Sequence, residues 1–101
     1  MKTAIVILNY NGVDLLKQFL PKLCLYSNRK DTEIIIADNN SNDRSLPFLK
    51  REYPFIKAIA FDKNWGFAEG YNRALAQIEA EYYILLNSDV EVSENWLSIN
   101  D

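Results

Sequence analysis

The sequence predicts an α/β chain: a Rossmann-like three-layer α/β/α sandwich around a mostly parallel sheet. Three observations carry this. Short apolar runs of strand length recur along the chain, and the clearest of them do not alternate, as strands covered on both faces require. The segments between them carry apolar residues at helical spacing. Each run gives way to a polar turn, three of them rich in Asn and Asp, at its carboxyl end.

The first run, Thr3 to Leu8, is short, continuous and β-branched, and predicts a central buried strand. Asn9, Tyr10, Asn11 and Gly12 follow as a turn. Asp14 either caps the next helix or adds favourable charge to its first turn. Leu15, Leu16, Phe19, Leu20 and Leu23 then form one apolar face up to about Tyr26, with Pro21 expected to kink or break the helix. Glu33 to Ala37 is the second buried strand, ending at Asp38. The stretch from Asp38 to Asp43 is the most polar in the chain. Ser45 is expected to cap a short helix that carries Pro47 in its first turn and stops before Pro54. Ile56 to Phe61 is a third strand, placed near an edge because Lys57 interrupts it. Phe67, Tyr71, Ala74, Leu75 and Ile78 mark a helix of about 14 residues. Such a helix returns the chain to its starting edge, where Tyr82 to Asn87 adds a fourth parallel strand, expected to be buried on both faces. Ser93 is expected to cap a last turn around Trp96 and Leu97.

Composition narrows the chemistry. The 101 residues carry a formal charge of −3 and no basic cluster, which argues against a nucleic-acid partner. No apolar run approaches the roughly 20 residues that span a bilayer. Cys24 is the single cysteine and there is no histidine, so disulfides, thiolate zinc sites and Ser-His or Cys-His catalysis have no seat. Chemistry must run on carboxylates, amides, hydroxyls and a bound cation.

Parallel strands joined by helices bring their carboxyl ends to one edge, where open α/β sheets bind ligands. Asn9 to Asn11, Asp38 to Asn42 and Asn87 to Asp89 therefore face one crevice, with Asn64 to Gly66 close by. Acceptors and donors with few cations suit a nucleobase or ribose, together with a metal that carries phosphate charge. Asp89 at the end of the last strand is placed to hold a hard cation on a diphosphate. The competing reading is that these residues only turn and cap. Gly-x-Gly-x-x-Gly and P-loop signatures do not occur.

Four blocks then strongly resemble family 2 glycosyltransferases of the GT-A fold: Ile5 to Gly12, Asp38 to Asp43, Asn64 to Asn72, and Leu85 to Val90. They occur in the family's order and span nearly the whole chain. The Asn-Tyr-Asn-Gly and Asn-x-Gly-Phe-Ala motifs look like a rhamnosyltransferase-like and cell-wall-type branch. The resemblance implies that Asn9, Tyr10 and Asn11 lie under the nucleotide and that Asp38, with Asn40 beside it, serves base or ribose. It implies that Asn64, Gly66 and Asn72 shape the same pocket. Ser88 and Asp89 match the last part of the family's Asp-x-Asp motif, with Asp89 on Mg2+ or Mn2+ and Asn87 a weak metal ligand in place of the first acid. Asn39 stands where many members have a second Asp.

The function so implied is inverting transfer from a nucleotide-diphosphate sugar donor to a saccharide or lipid-linked acceptor. Residues 1–101 are read as the nucleotide-sugar-binding half of the domain, without a catalytic base and inactive alone. The alternative is a non-catalytic nucleotide-binding or self-associating module, a homodimer through exposed edges. The expected location is cytoplasmic, with peripheral contact to the inner membrane face left open.

Overall fold

A computed structural model describes residues 1–87, 92–94, 96 and 97. Among the described residues four strands form one sheet: β1 (Thr3–Asn9), β2 (Thr32–Asp38), β3 (Lys57–Ala60) and β4 (Tyr82–Leu86), in the order β3-β2-β1-β4. All pairings are parallel. Helices α1 (Val13–Tyr26), α2 (Ser45–Glu52) and α3 (Phe67–Leu75) connect them. The chain steps from β1 outward to β3, then crosses back to lay β4 on the other side of β1. The strand order thus reverses between β1 and β4.

The pleat divides the central strands between two cores. Ile7 and Ile36, partners in the β1–β2 register, face one side and meet Leu16, Phe19, Leu20 and Leu23 of α1 and Phe48 and Leu49 of α2. Val6 and Ile35, the preceding pair, face the other side and meet Tyr71 and Ala74 of α3. Helix layers on both faces explain why β1 and β2 read as unbroken apolar runs. Burial of each large aliphatic chain contributes roughly 1.5–3 kcal/mol. On the α3 side the contact residues include Ala4, Ala37 and Ala74, which let the helix come close. At Gly70 a Cβ would lie 3.0 Å from both the Leu8 side chain and Asn39 Nδ2, so this turn of α3 rests almost directly on the ends of β1 and β2.

Several expectations are corrected. Pro21 neither breaks nor ends α1, which runs through it. The ring lies on the solvent side, where a missing hydrogen bond is more easily replaced by water. Helix α3 spans nine residues, not about 14. It ends in tighter turns, Gln77 N–H donating to Ala74 C=O and Ile78 N–H to Leu75 C=O, which still bury Ile78. Strand β4 is not buried on both faces: Tyr82, Tyr83 and Leu85 are exposed. It is an edge strand among the described residues, and an apolar run by itself does not distinguish edge from centre. Ser45 is the first helical residue rather than the cap, and Asp14 sits in the first turn of α1. The last turn expected around Trp96 and Leu97 is present, with Trp96 N–H donating to Ser93 C=O.

Replacing Pro21 with Ala restores an N–H to the interior of α1. P21A should stabilise the chain by about 1–3 kcal/mol, read as a raised urea midpoint with an unchanged slope. A lowered midpoint would mean that the ring is needed where it stands.

Candidate functional site

The carboxyl edge of β1 and β2 is built around one buried carboxylate. Asp38, the last residue of β2, is fully buried. Its Oδ1 accepts from Asn9 Nδ2 at 2.9 Å and from the Ser41 hydroxyl at 2.7 Å, while Oδ2 accepts from Ser41 N–H at 2.9 Å. A buried carboxylate needs such donors, because an unpaired charge out of water is costly. The backbone joins in: Asn39 N–H donates to Asn9 C=O and Phe61 N–H to Asp38 C=O. Asn9 is equally enclosed, and its Oδ1 is buried with no hydrogen-bond partner among the described residues, beside the position where Gly12 lacks a Cβ. It is an acceptor left open at the head of α1.

From this hub the loops are tied to one another. The Ser41 hydroxyl accepts from Asn11 N–H at 2.8 Å, and Asn11 Oδ1 accepts from the N–H groups of Asn42 and Asp43. Asn11 and Asn40 both take positive φ, 50° and 65°, a region Asn tolerates better than most residues. Asp43 then caps two helices at once. Its Oδ2 accepts from Val13 N–H at the start of α1, and its Oδ1 accepts from the N–H and hydroxyl of Ser45 at the start of α2. Burial pushes the Asp43 carboxyl up, but the hydrogen bonds from Ser45 and Val13 outweigh it and hold the group below its ordinary value. Asp43 was not singled out as a site residue in the sequence. Its distance from Val13 in the chain hides the link, although a carboxylate two residues before a helix start was a visible signal.

Asn39 makes the third tie. Its Nδ2 donates to Gly66 C=O at 3.0 Å and its Oδ1 accepts from Trp65 N–H at 3.0 Å, so a buried amide holds the loop before α3 by its backbone. Asn64 Oδ1 accepts from Gly66 N–H within that loop. Gly66 has φ 78° and ψ −172°, a conformation almost confined to glycine. Trp65 is flanked by Lys63 and Arg73, with the Arg73 guanidinium carbon 3.4 Å from its ring centroid. Arg73 also pairs with Glu69 one turn earlier.

The structure therefore brings Asn9, Asn11, Asp38, Asn64 and Gly66 to one edge, with Tyr10 and Asn40 exposed there. Asp38, expected at the base or ribose, has its carboxylate enclosed by Asn9 and Ser41. Asn72 is exposed on α3, and Asn87 is exposed just past β4. Ser88 and Asp89 lie outside the described residues. Among the described residues no group of three or more His, Cys, Asp or Glu side chains is gathered for a metal.

The sequence matches the profile of glycosyl transferase family 2 over residues 4–99. The chain belongs to that family. It is 29% identical over 97% of its length to a cholesterol galactosyltransferase of Borreliella burgdorferi, covering 28% of that protein. It is 31% identical over 89% of its length to an uncharacterized glycosyltransferase, YfnE, of Bacillus subtilis, covering 24% of it. Among solved structures, TarS of S. aureus in complex with UDP-GlcNAc superposes with a TM-score of 0.84 at 24% identity, over 97% of this chain and 29% of that one. The mannosyltransferase PcManGT of Pyrobaculum calidifontis, in complex with GDP-Man and Mn2+, gives 0.82 at 18% identity, over 96% and 30%. The fold is the one these two solved structures share, and the chain spans less than a third of each of these four proteins. No helix among the described residues is long and apolar enough to cross a membrane.

Because Asp43 is more acidic in the folded chain, its stabilising contribution is present above the ordinary carboxyl value near 3.8 and is lost as pH falls through the folded value. D43N should lower stability by about 1–2 kcal/mol at neutral pH. The gap from the native chain should close in acid, as followed by thermal melts across pH. A gap that stays constant to low pH would mean that the charge plays no part.

Proposed function

We propose that this chain is the nucleotide-binding half of an inverting glycosyltransferase. It holds the nucleotide-diphosphate part of a sugar donor while an acceptor hydroxyl, on a saccharide or a lipid-linked saccharide, attacks the anomeric carbon. The observation that carries the reading is the convergence of three tied loops, 9–12, 38–43 and 64–66, on one sheet edge in a family 2 chain. The first two carry the exposed side chains of Tyr10, Asn11, Asn40 and Asn42, suited to a base and ribose. The end of β4, where Asn87 emerges, is assigned to the diphosphate.

The bond to the leaving nucleoside diphosphate breaks as the new glycosidic bond forms, and a cation held there would offset the developing charge. Magnesium-type ions take one or two carboxylates and fill the remaining positions from phosphate and water. A single acid suffices on that pattern, and we assign it to Asp89, with Asn87 at most a weak ligand and Ser88 beside the phosphates. That PcManGT was solved with GDP-Man and Mn2+ supports the class of donor and metal. The general base is assigned to none of these residues, and the part we assign to residues 1–101 is the binding of the donor. The Asn-Tyr-Asn-Gly and Asn-x-Gly-Phe-Ala motifs favour a rhamnosyltransferase-like branch.

Titration calorimetry with UDP, GDP and dTDP, each with and without Mn2+, tests this on the native chain and on D89A. Metal-dependent binding of one of the three nucleotides, reduced at least tenfold in D89A, is expected. Binding that ignores both metal and Asp89 would remove the assignment of the cation site, and no binding by any nucleotide would remove the nucleotide reading. One observation favours a second reading as a self-associating module: Tyr82, Tyr83 and Leu85 stand exposed on edge strand β4.

A further inference from the structure

The hydroxyl of Tyr71 sits where the sheet changes direction. Lys2 C=O accepts from Tyr82 N–H, and Asn9 C=O accepts from Asn39 N–H. Even-numbered residues of β1 therefore bond towards β4 and odd-numbered residues towards β2, as a parallel ladder requires. The β1–β4 register closes at Ile7 opposite Leu86. Its last rung is consequently the one between Leu8 N–H and Leu86 C=O. Beyond that rung β1 continues beside β2 to Asn9 and Asp38, while β4 has ended.

Tyr71 reaches both partners of this rung from α3. Its hydroxyl donates to Leu86 C=O at 2.8 Å, and Leu8 N–H donates to the hydroxyl over a longer 3.4 Å. The ring is buried and packs edge-on against Phe67, with centroids 5.1 Å apart. Burial pushes the phenol above its ordinary value, and the Leu8 amide only partly offsets this, so the hydroxyl keeps the proton that it donates. A hydrophobic position on a helix requires no hydroxyl. Here it fastens α3, β1 and β4 together at the point where the strand order reverses, the point at which open α/β sheets accept ligands.

We propose that Tyr71 is a positioning residue for the nucleoside diphosphate. Its hydroxyl fixes the exit of β4, and with it Asn87, against the exit of β1, and so sets the distance between the loops that hold the nucleoside and the segment that meets the phosphates. This rests on the function proposed above. Leu86 C=O, the acceptor of the hydroxyl, belongs to the residue immediately before Asn87. Loosening it frees the phosphate end of the site and leaves the network of Asn9, Asp38 and Ser41 untouched.

The test is Y71F, which keeps the ring and removes the hydroxyl, compared with I78V as a core variant away from the edge. Affinities for a nucleoside and for its diphosphate are measured by calorimetry in constant Mn2+, with thermal melts and amide hydrogen exchange at Leu8. The expected result is a diphosphate affinity reduced about tenfold or more in Y71F, with nucleoside affinity within twofold of the native value and faster exchange at Leu8. I78V should lower the melting temperature and leave both affinities unchanged. If Y71F binds the diphosphate like the native chain, or if both ligands weaken equally, the positioning role is overturned. If the native chain binds neither ligand, the nucleotide reading itself fails, a result recognisable without any variant.

Discussion

The site depends on keeping the buried Asp38 carboxylate supplied with hydrogen-bond donors. Three donors, from Asn9 and Ser41, surround it at 2.7–2.9 Å. Each hydrogen bond to a charged group contributes roughly 1.5–3 kcal/mol, and leaving the charge unpaired would cost more. The arrangement therefore has little slack: Asn9 must leave β1 in register with Asp38, and the chain after Asp38 must fold back so that Ser41 reaches the same oxygens. The parallel pairing of Asn9 with Asp38 satisfies the first condition. The positive φ of Asn40 accompanies the second. A polar loop thereby becomes a fixed surface, a precondition for presenting groups to a ligand without a large ordering cost.

The same constraint separates residues that hold from residues that present. Asp38, Asn39 and Asp43 spend their polar side-chain atoms on other loops and on helix starts. Tyr10 and Asn40 stand on the exposed side of the same loops, and Asn11, exposed as well, gives its Oδ1 to the N–H groups of Asn42 and Asp43. Asn9 is enclosed like the holding residues: its Nδ2 donates to Asp38, and its buried Oδ1 has no hydrogen-bond partner among the described residues. Asn39 illustrates what an amide does that an acid would not: one side chain donates to Gly66 C=O and accepts from Trp65 N–H. A carboxylate in its place would set negative charge against the Gly66 carbonyl oxygen, so the residue type and the loop conformation are matched.

Much of the fold was legible because β1 and β2 are covered on both faces, and continuous β-branched runs are what such strands need. The edge position of β3 was legible from Lys57. The exposure of β4 was not, because Tyr82 to Leu86 are as apolar as a central strand, and only the pairing partners tell the two apart. Pro21 misled in the opposite direction: a local cost of a few kcal/mol at most was set against the apolar face of α1, and packing prevailed. At the site, the clustering of Asn9, Asn11 and Asp38 followed from parallel topology alone. The division of labour among them did not, since it depends on which oxygen each donor reaches across about 30 residues of intervening chain.

Helix α3 shows how the two halves of the edge are coupled. Its first turn follows the loop that Asn39 holds, its Gly70 rests against Leu8 and Asn39, and its Tyr71 grips the ends of β1 and β4. One rigid element thus touches every strand end assigned a part in ligand binding except that of β3. A shift of α3 along the sheet would move the 64–66 loop and the exit of β4 together, whereas the Asp38 network would keep the 9–12 and 38–43 loops where they are. The edge is built from two bodies, one organised by a buried carboxylate and the other by a helix. Asn39 and Gly70 are where they join, and the spacing between the nucleoside and phosphate ends of the proposed site is set at that joint.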